Sequence, residues 1–161
     1  MGSSINIRMG EYNHGTNDDI LTTTALGSCV GIVLYDSLVR VGGLAHIMLP
    51  FSHQFRASTH PAKFADTAIP AMLEKMFTLG AYRSRIWAKI AGGAHMFALT
   101  ANSDIMRIGE RNVEAAKEVL RQEGVRLIAE DTGSNYGRSL EFFLSTGLVL
   151  VRAAGRGTVK L

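Results

Sequence analysis

Two apolar strand patterns that follow each other across a tight turn constrain the fold of this chain more than any other feature. The segment CVGIVLYD at 29–36 is rich in β-branched residues, and RVGGLAHIML at 40–49 has the same character. A second hairpin is predicted in SLEFFLSTGLVLVRA at 139–153, with its turn near Ser145–Gly147. Strands joined in this way are antiparallel, which argues against a doubly wound parallel sheet.

Two further segments have the apolar spacing of amphipathic helices. They are KFADTAIPAMLEKMFTLGA at 63–81, where Pro70 should kink the helix or mark a new first turn, and NVEAAKEVLRQEG at 112–124. Other strand patterns occur in SINIRMGEY, SRIWAKIAGG, VRLIAEDTG and GTVKL, the last as an edge strand. With roughly seven strands and two helices, the sequence predicts an α+β layered sandwich of mixed β-sheets with two main helices packed outside.

Length and charge limit the class of protein. The 161 residues predict a single domain, 1–161, with 1–8 as a candidate flexible segment. No apolar run approaches the roughly 20 residues that span a bilayer, so no direct membrane insertion is expected. The net charge is +3, and its basic residues are scattered, which disfavours nucleic acid as a partner. A lone cysteine cannot form an intrachain disulfide, so we expect a cytoplasmic location with a reduced thiol.

That cysteine, Cys29, lies in the first strand pattern, and His46 lies in the second. A two-residue turn at Ser37 and Leu38 would place the two directly opposite each other, with Cβ atoms roughly 4.5–5.5 Å apart. A two-residue shift of the register keeps both side chains on one face, whereas a one-residue slip separates them. The sequence therefore offers a thiol nucleophile with an imidazole as its base.

The segments before Cys29 could complete such a site. A turn at Gly27 would let backbone N–H groups at Gly27 and Ser28 point at a developing oxyanion. The threonines at 22–24 offer hydroxyl groups that could hold the imidazole.

Two other interpretations stay open at this point. A lone cysteine is more often a small buried apolar residue than a nucleophile, and His46 could be a satisfied core histidine. His46, His53 and His60 recur every seven residues, but no pattern typical of a metal site accompanies them, so no metal is expected.

Several motifs together resemble one known family. The segments TTALGSCVGIVLYD, GGLAHIMLP, KFADTAI, KIAGGAHMF, IGERNVEAAK and AEDTGSNYGRSLEF are similar, in this order, to those of CheD, the bacterial chemoreceptor glutamine deamidase family. The resemblance extends from about Met9 to Arg152, nearly the whole chain.

The resemblance implies a function and a site. It implies hydrolysis of receptor glutamine amides to glutamate and ammonia, and of receptor glutamyl methyl esters, without a cofactor. It implies Cys29 as nucleophile, His46 as base and Thr23 as third catalytic residue, in a fold similar to the catalytic domains of deamidating cytotoxic necrotizing toxins. The implied partners are the cytoplasmic domains of methyl-accepting chemoreceptors and a CheC-type phosphatase.

Two other functions are compatible with the same sequence. One is a non-enzymatic regulator that binds chemoreceptors and the phosphatase. The other is a cysteine peptidase or transglutaminase, which would cleave peptides or incorporate amines. Ammonia release from a receptor fragment separates the deamidase from the regulator. The mass difference between an amide and an acid, instead of peptide cleavage or amine incorporation, separates the deamidase from a peptidase or transglutaminase.

Overall fold

The described part of the chain folds into ten strands and two α-helices. The computed structural model describes residues 2–55, 60–96 and 107–161. The strands are β1 (Ser4–Asn6), β2 (Tyr12–Thr16), β3 (Ile20–Leu26), β4 (Val30–Asp36), β5 (Val41–Ile47), β6 (Ile86–Gly92), β7 (Arg126–Thr132), β8 (Arg138–Phe143), β9 (Leu148–Ala153) and β10 (Gly157–Lys160). The helices are α1 (Ala65–Thr78) and α2 (Ile108–Gln122), and single 3-10 turns occupy Ser52–Gln54, Pro61–Lys63 and Arg83–Arg85. In the described part of the chain, no helix is long and apolar enough to cross a membrane.

The strands form two mixed five-stranded sheets. Sheet 1 has the order β1-β3-β8-β9-β10, and sheet 2 has the order β2-β5-β4-β6-β7. Among the paired strands of the described residues, β1–β3 and β6–β7 are parallel and the others are antiparallel. Both helices pack on sheet 2, and sheet 1 covers its other face. The predicted α+β architecture, with two layers of mixed sheet and two helices outside, is confirmed.

Each layer boundary has its own apolar core. One lies between the helices and sheet 2 and includes Ile32, Ile69 and Val119. The other lies between the two sheets and includes Cys29, Phe142 and Leu144. A residue on sheet 2 therefore faces either the helices or sheet 1, according to its parity along the strand.

The β4–β5 hairpin has a longer turn than predicted. Asp36 pairs with Val41, so residues 37–40 form the turn, and Gly31 instead of Cys29 lies opposite His46. The predicted direct opposition of the two side chains is wrong by two residues. Because the shift is even, Cys29 and His46 still lie on the same face, the one that meets sheet 1.

One of two predicted interruptions of regular structure, at Pro70, differs in the structure, and the other can be described only in part. Helix α1 begins at Ala65 and continues through Pro70, so this proline does not start a new helix. The absent N–H costs one intrahelical bond, to the Asp66 carbonyl in the first turn. The loop predicted at 50–61 contains a 3-10 turn at its start, and its residues 56–59 lie outside the described ones.

Candidate active site

The candidate site lies between the two sheets, at the end of the β4–β5 hairpin opposite its turn. Thr23 on sheet 1 and His46 on sheet 2 are fully buried, and Cys29 is 7% exposed. The threonine Oγ1 lies 2.7 Å from Nδ1 of the imidazole. Thr24 is exposed and Thr22 only half-buried, since alternate residues of a strand point to opposite faces. The geometry therefore singles out Thr23 among the three threonines.

The hydrogen bonds of Thr23 fix the tautomer of His46. The threonine hydroxyl lies 2.6 Å from the backbone carbonyl of Ile7, which can only accept. Because a hydroxyl has a single proton, Thr23 donates to Ile7 and accepts from the Nδ1–H of His46. A neutral imidazole that has its proton on Nδ1 has a lone pair on Nε2. Nε2 is buried and has no hydrogen-bond partner among the described residues.

Burial keeps the thiol and the imidazole uncharged. Desolvation raises the pKa of Cys29 to about 11, although a hydrogen bond from its own backbone N–H lowers it in part. Desolvation lowers the pKa of His46 to about 4. No hydrogen bond joins the sulfur to Nε2 in this part of the chain, which agrees with diagonal neighbours whose α-carbons lie roughly 7–8 Å apart. At neutral pH the arrangement is a neutral thiol beside a neutral base.

The backbone before Cys29 bends at residues 27–29, where the turn at Gly27 was predicted. It also contains a left-handed residue that was not predicted, Ala25 (φ 59°), at a bulge in β3. The Gly27 N–H donates to the Ala25 carbonyl and is therefore occupied. Among the described residues, no acceptor takes the N–H of Ser28. Of the two predicted oxyanion donors, Ser28 is the one whose N–H is available.

Glycines allow the surrounding segments to come close to this backbone. A Cβ on Gly92 (φ 110°) would lie 2.3 Å from the Cys29 carbonyl oxygen, and the Gly93 N–H donates to that same oxygen. Gly31 faces sheet 1, where an added Cβ would lie 3.3 Å from Leu140. The glycine pair at 92–93 therefore supports the cysteine backbone, and Gly31 serves packing between the sheets.

Two other histidines, His95 and His14, lie outside this arrangement. His95 lines a neighbouring cavity of about 260 Å³ together with Gly93 and Ser134. His14 contacts the Met72 carbonyl on the helix side of sheet 2. Within residues 2–55, 60–96 and 107–161, no group of three His, Cys, Asp or Glu side chains is placed to hold a metal ion.

One polar residue of the site was missed from the sequence. Asn112 on α2 is fully buried, and its Nδ2 donates to the carbonyls of Ser28 (2.9 Å) and Met48 (3.0 Å). The available signal was an amide side chain in the buried stripe of an amphipathic helix, next to Val113 and one turn before Ala116.

We expect Thr23→Val to lower the rate of glutamine deamidation by a larger factor than it lowers the equilibrium constant for folding. Valine keeps the shape of threonine but removes the acceptor for Nδ1–H, so the imidazole loses the bond that sets its tautomer. We expect roughly a 10–100-fold loss in kcat, in line with the loss of a partner that orients a ligating or catalytic histidine. Turnover and chemical denaturation measured together check this.

Thr23→Ser keeps the hydroxyl and should retain most activity, and Thr22→Val and Thr24→Val should have little effect. A damaging Thr24→Val beside a harmless Thr23→Val would show that the orienting hydroxyl has been misassigned.

Acid should destabilise the fold through His46. Its folded pKa of about 4 lies below the ordinary 6.5, so its contribution to stability is complete above pH 6.5 and is lost as the pH falls toward 4. This difference in pKa corresponds to a loss of about 3 kcal/mol in the free energy of unfolding once His46 is fully protonated. The free energy of unfolding, measured by urea titration at several pH values, should fall less on acidification in His46→Gln than in the wild type. Equal slopes would contradict the buried neutral imidazole.

Comparisons with known proteins identify the family. A family model described as CheD chemotactic sensory transduction matches residues 48–153. The chain is 50% identical over 153 residues to a probable chemoreceptor glutamine deamidase CheD of Caldanaerobacter subterraneus subsp. tengcongensis, covering 95% of this chain and 94% of that protein. It is 46% identical over 161 residues, all of both chains, to a protein of the same description from Lachnoclostridium phytofermentans. The chain belongs to the CheD family.

The fold is also similar to a solved structure outside the relatives above. Neisseria meningitidis protein NMB0706, of family model DUF152, superposes with a TM-score of 0.52 at 8% identity, covering 87% of this chain and 74% of that one. At this identity the likeness concerns the fold alone.

Proposed function

We propose that this protein is a chemoreceptor glutamine deamidase that works through a cysteine thioester. The observation that carries the proposal is the chain of hydrogen bonds from His46 through Thr23 to Ile7. It leaves a buried imidazole lone pair that has no partner among the described residues, on the same sheet face as the only thiol of the chain. The family's curated relatives support the substrate, since their descriptions name chemoreceptor glutamine.

In the first half of the reaction, His46 Nε2 takes the thiol proton while the sulfur attacks the amide carbon of the glutamine side chain. A bond forms between sulfur and carbon, and negative charge develops on the amide oxygen, which the Ser28 N–H is available to stabilise. The imidazolium then gives its proton to the leaving nitrogen. Ammonia departs, and a glutamyl thioester on Cys29 remains.

In the second half, His46 takes a proton from water, and the resulting hydroxide attacks the thioester carbon. The bond between carbon and sulfur breaks, the imidazolium returns its proton to the sulfur, and glutamate is released. Thr23 keeps the proton of the imidazole on Nδ1 in both halves, so the same Nε2 serves as base and acid. A methyl ester follows the same path with methanol as the leaving group.

The neutral resting pair fits this sequence of steps. A thiol with a pKa of about 11 is almost fully protonated at neutral pH, so it depends on a base at the moment of attack. A substrate amide that closes over Cys29 would bring the sulfur and Nε2 into hydrogen-bonding range, as catalytic bonds commonly tighten only in the substrate complex. We place this activity in the cytoplasm, where thiols stay reduced.

Intact-mass measurement tests the function. The protein is incubated with a purified cytoplasmic fragment of a methyl-accepting chemoreceptor, and ammonia is measured in parallel. We expect the fragment to gain the mass difference between an amide and an acid, with equimolar ammonia. Peptide cleavage or amine incorporation would instead indicate a peptidase or a transglutaminase. Binding without any covalent change would indicate a non-enzymatic regulator.

A CheC-type phosphatase is proposed as a second partner, at the same face as the receptor glutamine. Shared occupancy of the face around Cys29 makes the two partners mutually exclusive, and the coupling is reciprocal. We expect titrated phosphatase to inhibit deamidation and excess receptor to relieve the inhibition. A ternary complex that retains full turnover would overturn the shared face. The similarity to toxin catalytic domains stays a prediction.

A further inference from the structure

Asn112 connects the two segments that hold the thiol and the imidazole. Its amide nitrogen donates one hydrogen bond to the Ser28 carbonyl, immediately before Cys29. It donates a second to the Met48 carbonyl, two residues after His46. A side-chain amide has two N–H donors, so both are used.

These bonds lie where the sheet no longer holds the two segments together. The β4–β5 ladder ends at the pair Val30–Ile47, so Cys29 and the residues before it are beyond its last rung. The Gly93 N–H holds the Cys29 carbonyl on the β6 side, but among the described residues no backbone hydrogen bond joins residues 27–29 to residues 48–50. Asn112 supplies a bridge just outside the ladder, two residues before Val30 and one residue after Ile47.

Helix α2 is seated close enough to make this bridge rigid. A Cβ on Gly109 would lie 2.3 Å from the Ala94 carbonyl oxygen, and one on Gly93 (φ 65°) would lie 2.2 Å from Val113. The first turn of α2 therefore packs directly on the 92–94 segment, which itself holds the Cys29 carbonyl. Two independent contacts fix the helix relative to the cysteine.

Stability alone does not favour an asparagine at this position. Its Oδ1 is buried and has no hydrogen-bond partner among the described residues. A buried acceptor without a partner is unfavourable, and apolar side chains fill the rest of this helix face. The presence of asparagine here is therefore better explained by the two backbone carbonyls, of Ser28 and Met48, that its N–H groups bind.

We propose that Asn112 is a positioning residue that sets the separation between the Cys29 thiol and the His46 imidazole. This proposal rests on the proposed deamidase function. Asn112 acts through the backbone on either side of the site, and it does so by fixing the Ser28 and Met48 carbonyls.

The test compares Asn112→Ala with Val119→Ala, which truncates another buried side chain of the same helix without touching the two carbonyls. Deamidation of a receptor fragment is measured over a range of fragment concentrations. We expect Asn112→Ala to lower kcat by roughly 10–100-fold, the size of effect that a displacement of about 1 Å produces, while KM changes little. Val119→Ala should lose stability but retain kcat. Asn112→Ser, which keeps one donor, should fall between Asn112→Ala and wild type.

A second measurement does not depend on the receptor. The alkylation rate of Cys29 by iodoacetamide is followed against pH in the same variants. Release of Ser28 should let water reach the sulfur. We therefore expect the pH midpoint of the alkylation rate to fall in Asn112→Ala and Asn112→Ser, from about 11 toward the ordinary thiol pKa of about 9.

The outcomes separate the two proposals. If Asn112→Ala matches Val119→Ala in both kcat and alkylation midpoint, the positioning role is overturned, whereas the deamidase function stands. If the wild type releases no ammonia, the proposed function fails, and the alkylation midpoints alone decide whether Asn112 positions the thiol. Should Asn112→Ala fail to fold, Asn112→Ser is judged by the same two criteria.

Discussion

Cys29→Ala folds and releases no ammonia from a receptor fragment: this is the largest effect that we expect from a single substitution. The chain contains no second thiol, so no other residue can form the thioester. Alanine removes a small group from the core between the sheets, and the stability loss should stay within about 1–2 kcal/mol. Intact mass of the fragment and circular dichroism of the variant check the two halves of this expectation.

Cys29→Ser is the matched control for volume. A serine hydroxyl is close in size to the thiol but a far weaker nucleophile, so this variant should bind the fragment and remain nearly inactive. If folded Cys29→Ala still deamidates at a rate near that of the wild type, the cysteine mechanism has to be abandoned.

His46→Gln is expected to lower turnover by roughly 10²–10⁴-fold, the usual contribution of general acid–base catalysis. Glutamine can still meet Thr23 with its amide, but it has no group that exchanges a proton near neutral pH. In the proposed mechanism Nε2 of His46 acts twice, first on the thiol proton and later on water. Single-turnover measurements should therefore show both thioester formation and thioester hydrolysis slowed.

His14→Gln is the control for this variant. His14 lies on the same sheet, and burial likewise lowers its pKa, but it contacts the Met72 carbonyl on the face that meets the helices. It should alter stability without altering turnover. Equal losses of activity in the two variants would mean that His46 is structural.

The hairpin that holds Cys29 and His46 could be predicted from the sequence, but its register could not. Strand character and the shared face follow from the β-branched pattern and its period of two. The turn at 37–40 uses Arg40 in a left-handed conformation (φ 52°), a position where glycine or asparagine would have been the signal. With no such residue present, the shorter turn was the natural prediction, and it misplaced the register by two.

The contact between Thr23 and His46 lies beyond what a local pattern can specify. Strand β3 was missed because consecutive threonines hide the alternation of buried and exposed positions. The Thr23 side chain meets His46 only because two separate sheets pack face to face. The family resemblance, and no local pattern, indicated Thr23. The Asn112 bridge is tertiary in the same way, since it joins a helix to two backbone segments 64 and 84 residues earlier.

The chain of hydrogen bonds from His46 through Thr23 to Ile7 joins two sheets, and this has a consequence for how the protein loses activity. His46 belongs to one sheet, whereas Thr23 and the Ile7 carbonyl lie with the other, so neither sheet alone holds the proposed base together with its hydrogen-bond partners. A small slide of one sheet over the other would break the hydrogen bond between His46 and Thr23 while leaving every strand intact. Enzymatic activity should therefore report the alignment of the layers and should vanish at a lower denaturant concentration than the far-ultraviolet circular dichroism signal does. Phe142 lies in the core between the two sheets. A substitution such as Phe142→Leu would then lower the catalytic rate without touching the site, because it changes the packing of one sheet on the other.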